Sequence, residues 1–305
     1  VLEIDPRIAK ALASSSLPPL RAGTLGTYRA GSNKSPAPSP GVERRDYVID
    51  PERAVVIRVH RPAGGEGGLP CVYSMHGGGY VFGSYANDDA RLDGWSRSYR
   101  SVGVSVDYRL APETPFPGPL DDCYLGLKWV FDHHDELGVD PERIGVSGTS
   151  AGAGLAAALA LQARDRGEVP LQFQLLDAPM IDDRQVTPSS QREDLVIFDR
   201  EASEFGWRSY LGDLYGTPDV PAYAAPARAA DLAGLPAAYL CAGNVDGFRD
   251  DAIGYATRLN QAGVAAELHI YAGAPHGVKQ FADVPVARRY IEGINGWISA
   301  QFQAR

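Results

Sequence analysis

Alternation of strand-like and helix-like segments is the feature that most constrains this chain. Runs of strand character recur at residues 47–49, 54–59, 71–75, 102–106, 143–147, 172–176, 237–241 and 267–271. From the third run onward they are interleaved with helix-like segments, including 121–133, 151–164, 250–262 and 286–302. Strand, helix and strand in succession pair in parallel through right-handed crossovers, so the order predicts an open, mainly parallel α/β sheet. Only Pro51-Glu-Arg separates the first two runs, which predicts an antiparallel hairpin at one edge.

The alternation fails between about residues 187 and 222, where a helix-like stretch carries Phe198, Phe205, Trp207, Tyr210 and Leu211. We read 187–222 as an insertion packed over one end of the sheet together with residues 1–45. That N-terminal segment holds a short amphipathic stretch at 8–12. A Gly/Ser/Pro-rich run follows at 31–41, which suits neither helix nor central strand and reads as a linker or mobile loop. The core is then 46–186 and 223–305.

With 305 residues, 44% of them hydrophobic and 22% charged, the chain can bury a large core and has an ordinary globular composition. Its formal net charge of -9, without a long Lys/Arg cluster, would repel a phosphate backbone, so nucleic acid is not an expected partner. Three cysteines cannot all pair within the chain, and Cys71 and Cys241 lie in apolar runs where a free thiol acts as a small hydrophobe. No apolar run of about 18 residues is present to span a bilayer. The start, from Val1 and Leu2, lacks the basic and apolar regions of a signal peptide. A cytoplasmic protein is expected, with a homodimer left open.

Chemistry concentrates in residues 144–152, Ile-Gly-Val-Ser-Gly-Thr-Ser-Ala-Gly, where a strand runs through G-x-S-x-G directly into an Ala/Leu-rich helix. Alone, the pattern also fits an ordinary Gly/Ser turn. Between strand and helix it puts the Ser150 hydroxyl above the sheet at a helix N-terminus, where negative charge is favoured. Ser147 lies within the strand and is the poorer nucleophile. A second cluster, His76-Gly-Gly-Gly79-Tyr80, follows the third strand. No G-K-[S/T] accompanies it, so a phosphate cradle is the weaker reading. The better one is an oxyanion hole from the N–H groups of Gly78, Gly79 and Ala151.

Six histidines could serve the serine as base. His133 and His134 end a helix-like stretch, and His60 and His269 lie in or beside strand runs. His276 follows the last strand and belongs at the carboxyl edge of the sheet, where such folds place ligands. The third member should be a carboxylate on a neighbouring loop, and Asp246, after the seventh strand, has that position. Asp177 is its main rival, followed by Asp250 and Asp251. Neither H-E-x-x-H nor a Cys/His ligand spacing is present, so no metal or other cofactor is expected.

From about residue 46 onward the chain resembles the hormone-sensitive lipase family of α/β-hydrolases, the microbial family IV esterases. The likeness is carried by His76–Gly79, Asp107-Tyr-Arg-Leu-Ala-Pro-Glu113, Gly148-Thr-Ser-Ala-Gly152 of the branch with Thr before the serine, and His276-Gly277. It implies an α/β-hydrolase fold with an eight-stranded core, flanking helices and a helical cap. It further implies cofactor-independent hydrolysis of carboxylic esters, with 107–113 as a structural loop. Two departures stand out. Residues 246–251 read Asp-Gly-Phe-Arg-Asp-Asp where many members have D-P-L-R-D-E, and the lost Pro predicts a looser loop. Val278 stands where Phe is common. The expected substrate is a small short-chain ester, with Tyr80, Phe205, Trp207 and Tyr210 as candidate binding residues, although their spacing fits core packing equally. The alternatives are a non-catalytic small-molecule receptor on the same fold and an amidase or peptidase using the same groups.

Overall fold

The computed structural model describes residues 3–14, 17–32, 34–65 and 67–303; Val1, Leu2 and Asn33, which bear on the expectations above, lie outside them. Eight strands form one sheet: β1 (Val42–Asp50), β2 (Val55–Pro62), β3 (Leu69–Met75), β4 (Val102–Asp107), β5 (Val139–Thr149), β6 (Phe173–Asp177), β7 (Ala237–Val245) and β8 (Ala266–Pro275). Their order is β1-β2-β4-β3-β5-β6-β7-β8. The β1–β2 and β2–β4 pairs are antiparallel and the rest parallel, so the edge hairpin is where the short connection puts it. Every residue of β3 and β6 is buried, as continuous apolar strands must be when helices cover both faces of a sheet.

The helices are α1 (Pro6–Ala13), α2 (Leu25–Gly31), α3 (Asp89–Tyr99), α4 (Gly118–Asp132), α5 (His134–Leu137), α6 (Ala151–Arg166), α7 (Arg200–Leu211), α8 (Arg249–Gln261) and α9 (Pro285–Gln303). Among them α6 is buried from Ala151 through Ala163, because small Ala and Gly side chains let it lie close on the sheet. No apolar stripe announces α3, which carries Asp89, Arg91, Asp93 and Gly94. Tertiary ion pairs stabilise it instead.

Those pairs also fix the 31–41 segment. Buried Asp93 accepts from Arg44 at 2.9 and 2.7 Å, from His60 at 2.8 Å and from the Ser39 N–H at 2.6 Å. Asp89 accepts from Arg44 and Arg58, each at 2.9 Å, and from the Ser35 hydroxyl. The segment forms no helix or strand, as its Pro and Gly content predicts. It is nevertheless held to α3 and β1 at Ser35, Pro36 and Ser39, where the expectation of a mobile loop does not fit.

From β3 the chain crosses to one side for β4 and then to the other side for β5, so the carboxyl ends of β3 and β5 flank a topological switch point. Over this end lie parts of both irregular segments. Arg21 binds Asp199 through two bonds of 3.0 and 2.9 Å and Glu201 at 2.7 Å, and Arg29 holds Glu113 and the Val81 carbonyl. Among the described residues no helix is long and apolar enough to cross a membrane.

Removing one member of a buried charge cluster leaves its partners uncompensated, at a cost of about 3–5 kcal/mol. Asp93→Ala should therefore lower the unfolding free energy by that amount in urea titrations. A loss under about 1 kcal/mol, the scale of a surface ion pair, would show that the cluster does not hold this end of the fold.

Candidate active site

Ser150 joins β5 to α6 with φ +58° and ψ −120°, a left-handed conformation that non-glycine residues rarely adopt. Its N–H donates to the Asp177 carbonyl at 2.8 Å, and its own carbonyl accepts from Met180 and Gly154 N–H, both at 3.1 Å. The flanking glycines are required by close approach. A Cβ on Gly148 would stand 2.1 Å from the Gly152 oxygen, and one on Gly152 would stand 2.1 Å from the Met75 oxygen on β3. Ala151 opens α6, so its N–H has no intrahelical acceptor and lies at the positive end of the helix dipole.

His276 and Asp246 reach the same point from the ends of β8 and β7. His276 Nε2 lies 3.0 Å from Ser150 Oγ, and Nδ1 lies 2.8 Å from Asp246 Oδ2. The other Asp246 oxygen accepts the Phe248 N–H at 2.9 Å, and the Ser189 hydroxyl ties Gly247 O at 2.9 Å. The loop is thus pinned without the family's Pro. All three side chains are sequestered, with exposures of 4% for Ser150, 1% for Asp246 and 9% for His276. The imidazole rests between Phe198 and Phe248, at centroid distances of 5.4 and 5.3 Å. Burial disfavours the imidazolium. The charge and hydrogen bond of Asp246, with a smaller contribution from Asp177, outweigh burial and raise the His276 pKa above the ordinary histidine value.

The rival carboxylates are engaged elsewhere. Asp177 ends β6 beneath the elbow, where it accepts from Tyr290 and pairs with Lys279. Asp250 accepts from Ser189 N–H at 2.8 Å and pairs with Arg249. Asp251 accepts from Thr187, and burial followed by the Asp182 charge pushes its carboxyl up to about 7. The other histidines are occupied too. His60 binds Asp93, His269 binds Glu267, and His133 and His134 bond carbonyls of the preceding helical turn.

Facing Ser150 is the glycine loop after β3. Gly78 has φ +126° and Gly79 φ +58°, and a Cβ on Gly78 would strike the Phe82 carbonyl at 1.9 Å. The loop rests on Tyr108, whose hydroxyl donates to the His76 carbonyl at 2.7 Å and whose ring stacks on the imidazole at 4.2 Å. Arg109 in turn is fixed to buried Asp122 by bonds of 2.8 Å. Residues 107–113 therefore buttress this loop.

A cavity of about 790 Å³ opens over Ser150 and His276. Its walls come from Gly77–Gly79, from Leu12, Pro18, Pro19 and Tyr28, and from Leu195–Asp199. The four expected binding residues do not line it. Trp207 and Tyr210 are 0% and 1% exposed, and Tyr210 stacks at 4.0 Å on Tyr80, whose hydroxyl is spent on the Met180 carbonyl. Phe205 packs half-buried against the same core. The helical spacing of these aromatics marks the face of α7 that packs inward, and the wall is built by the irregular residues just before it. Lys279, also at the wall, had no signal in the sequence, because its partners Thr149 and Asp177 come from distant strands.

The alpha/beta hydrolase fold family matches residues 72–280. Esterase LipI of Mycobacterium tuberculosis is 37% identical over 243 residues, covering 78% of this chain and 76% of that protein. An arylesterase of Saccharolobus solfataricus is 32% identical, covering 79% of this chain and 81% of its own. Among solved structures, a bacterial heroin esterase superposes with a TM-score of 0.92 at 38% identity, over 99% of this chain and 98% of that one. With a match across most of the sheet and relatives of this identity and coverage, the chain belongs to the α/β-hydrolases, in their hormone-sensitive-lipase-like family IV.

Proposed function

We propose that this protein is a carboxylesterase that hydrolyses small, short-chain esters through an acyl-enzyme on Ser150. One observation carries the reading: an unbroken hydrogen-bond path from Ser150 to His276 to Asp246, at 3.0 and 2.8 Å, lies on the floor of a cavity of ligand size. The esterases among its relatives support the reaction class.

In this mechanism His276 takes the Ser150 proton as the hydroxyl attacks the ester carbonyl, and the tetrahedral oxyanion is met by the N–H groups of Gly78, Gly79 and Ala151. Asp246 holds the imidazole tautomer and stabilises the imidazolium. His276 then passes its proton to the departing alcohol. In the second half it deprotonates a water as that water attacks the acyl carbonyl, then gives the proton to Ser150 Oγ as the Oγ–acyl bond breaks and the acid leaves. Residues 1–45 and 187–222 act together as the cap, joined by the Arg21 bonds to Asp199 and Glu201. All three groups needed for turnover are present and aligned, which favours an enzyme over a receptor. The three buried free thiols fit the reducing, cytoplasmic setting that we infer.

Ser150→Ala should keep its fold and lose several orders of magnitude in kcat, and Asp246→Asn should lose on the order of 10⁴-fold. Asp250→Asn and Asp251→Asn should lose little. Stopped assays on p-nitrophenyl butyrate test the ranking, and near-normal turnover by folded Ser150→Ala would overturn the mechanism.

Because only neutral imidazole accepts the serine proton and the His276 pKa is raised, kcat/KM should climb with pH through a midpoint above about 6.5. A profile flat down to about pH 5 would contradict His276 as the base.

The cap segments that wall the cavity should limit acyl length. Acetyl to hexanoyl esters should turn over faster than palmitoyl esters, and faster than the matching anilides, with no jump in rate beyond the substrate's solubility limit. Interfacial activation on long-chain emulsions would refute the short-chain assignment.

A further inference from the structure

Nucleophile and base lie 126 residues apart and on strands separated by two others, yet their reacting atoms must stay within 3.0 Å. One hydrogen bond sets that distance but leaves the orientation of two loops free. A second connection exists beside it. Lys279, three residues beyond His276 in the short 3-10 turn Val278–Phe281, donates at 3.0 Å to the hydroxyl of Thr149, the residue just before Ser150. The same ammonium is ion-paired with Asp177 Oδ2, which also accepts the Thr149 hydroxyl at 3.0 Å. The second Asp177 oxygen accepts the Tyr290 hydroxyl from α9 at 2.5 Å, and the Asp177 backbone carbonyl takes the Ser150 N–H.

We propose that Lys279 is a positioning residue that ties the His276 loop to the Ser150 elbow, with Asp177 as their shared anchor. The proposal rests on the Ser150–His276 reading above. Asp177 at the end of β6 thereby touches the nucleophile's backbone through its own backbone carbonyl, and the residue before the nucleophile and the turn that follows the base through its buried carboxylate. Sliding either loop would leave the buried Asp177 carboxylate without its cation, and that penalty keeps the two loops in register.

The pair is also placed to act on the base electrostatically. The charged groups that face His276 are Asp246 from the loop after β7, Asp177 from β6 and Lys279 from its own turn. Asp177 favours the imidazolium and Lys279 opposes it, so each offsets part of the other's effect on the base only while both are present. Facing Asp177 itself are Lys279, Tyr290, Cys241 of β7 and Arg91 of α3, and Arg91 is already paired with Asp88.

The test measures kcat, KM and the acid limb of kcat/KM for Lys279→Met, Thr149→Val, Asp177→Asn and the double variant Asp177→Asn/Lys279→Met, with circular dichroism to establish folding. Misalignment without loss of a reacting group predicts a fall in kcat of about 10- to 100-fold for Lys279→Met at nearly unchanged KM. Thr149→Val, which alters no charge, should lower kcat without moving the limb. Asp177→Asn leaves an unpaired ammonium near the base and should move the limb to lower pH. The double variant should move the limb back toward its parental position without restoring kcat. Values of kcat within twofold of the parent for both Lys279→Met and Thr149→Val would overturn the tie, as would an unmoved limb in folded Asp177→Asn. A parental enzyme with no acid limb would instead overturn the base assignment beneath it.

Discussion

The backbone of Ser150 is the constraint on which the rest depends. A non-glycine residue held at φ +58° costs about 1–3 kcal/mol and persists only where its surroundings over-determine it. Here the surroundings are specific: β3, β5 and the first turn of α6 approach so closely that neither Gly148 nor Gly152 has room for a methyl group. Hydrogen bonds from the Ser150 N–H to the Asp177 carbonyl and from the Met180 N–H to the Ser150 carbonyl close the turn. Because the sheet reverses its winding between β3 and β5, this rigid elbow lies directly beside the glycine loop. The hydroxyl and the proposed oxyanion donors are thus aligned by backbone geometry, which needs no reorganisation as charge develops.

Electrostatics then divides the acidic residues of the region into distinct tasks. Asp246 faces the imidazole and outweighs the burial that would strip it of its proton. Asp177 is matched instead by Lys279 and Tyr290, which suits the anchoring role proposed for it. Asp251 is raised to about 7 by burial and by the charges of Asp182 and Asp250, so it is a weaker support for a cation than a fully ionised carboxylate. Three carboxylates near the carboxyl ends of β6 and β7 differ in role because their partners differ.

That difference also marks how far the sequence could be read. The eight strands, the elbow, the glycine loop and His276 were legible because each depends on local pattern: β-branched runs, obligatory glycines, a loop immediately after the last strand. Asp246 was legible as a loop position. What separates it from Asp177 is a lysine over a hundred residues away in the chain, which no local pattern reveals. Helix α3 escaped notice because buried ion pairs, rather than an apolar stripe, hold it in place. The cavity wall was misplaced for a related reason. Aromatic residues at helical spacing on α7 pack into the core, and irregular backbone around Leu195–Phe198 makes the wall through tertiary contacts alone.

Covalent trapping tests the central claim most directly. Rapid acid quenching during turnover of p-nitrophenyl butyrate, followed by peptide mapping by mass spectrometry, should find a butyryl group on Ser150, at close to one per chain when deacylation is slowed. A burst of nitrophenol of the same amplitude should accompany it. Steady ester hydrolysis with no burst and an unmodified Ser150, or with the acyl group on another residue, would contradict the account.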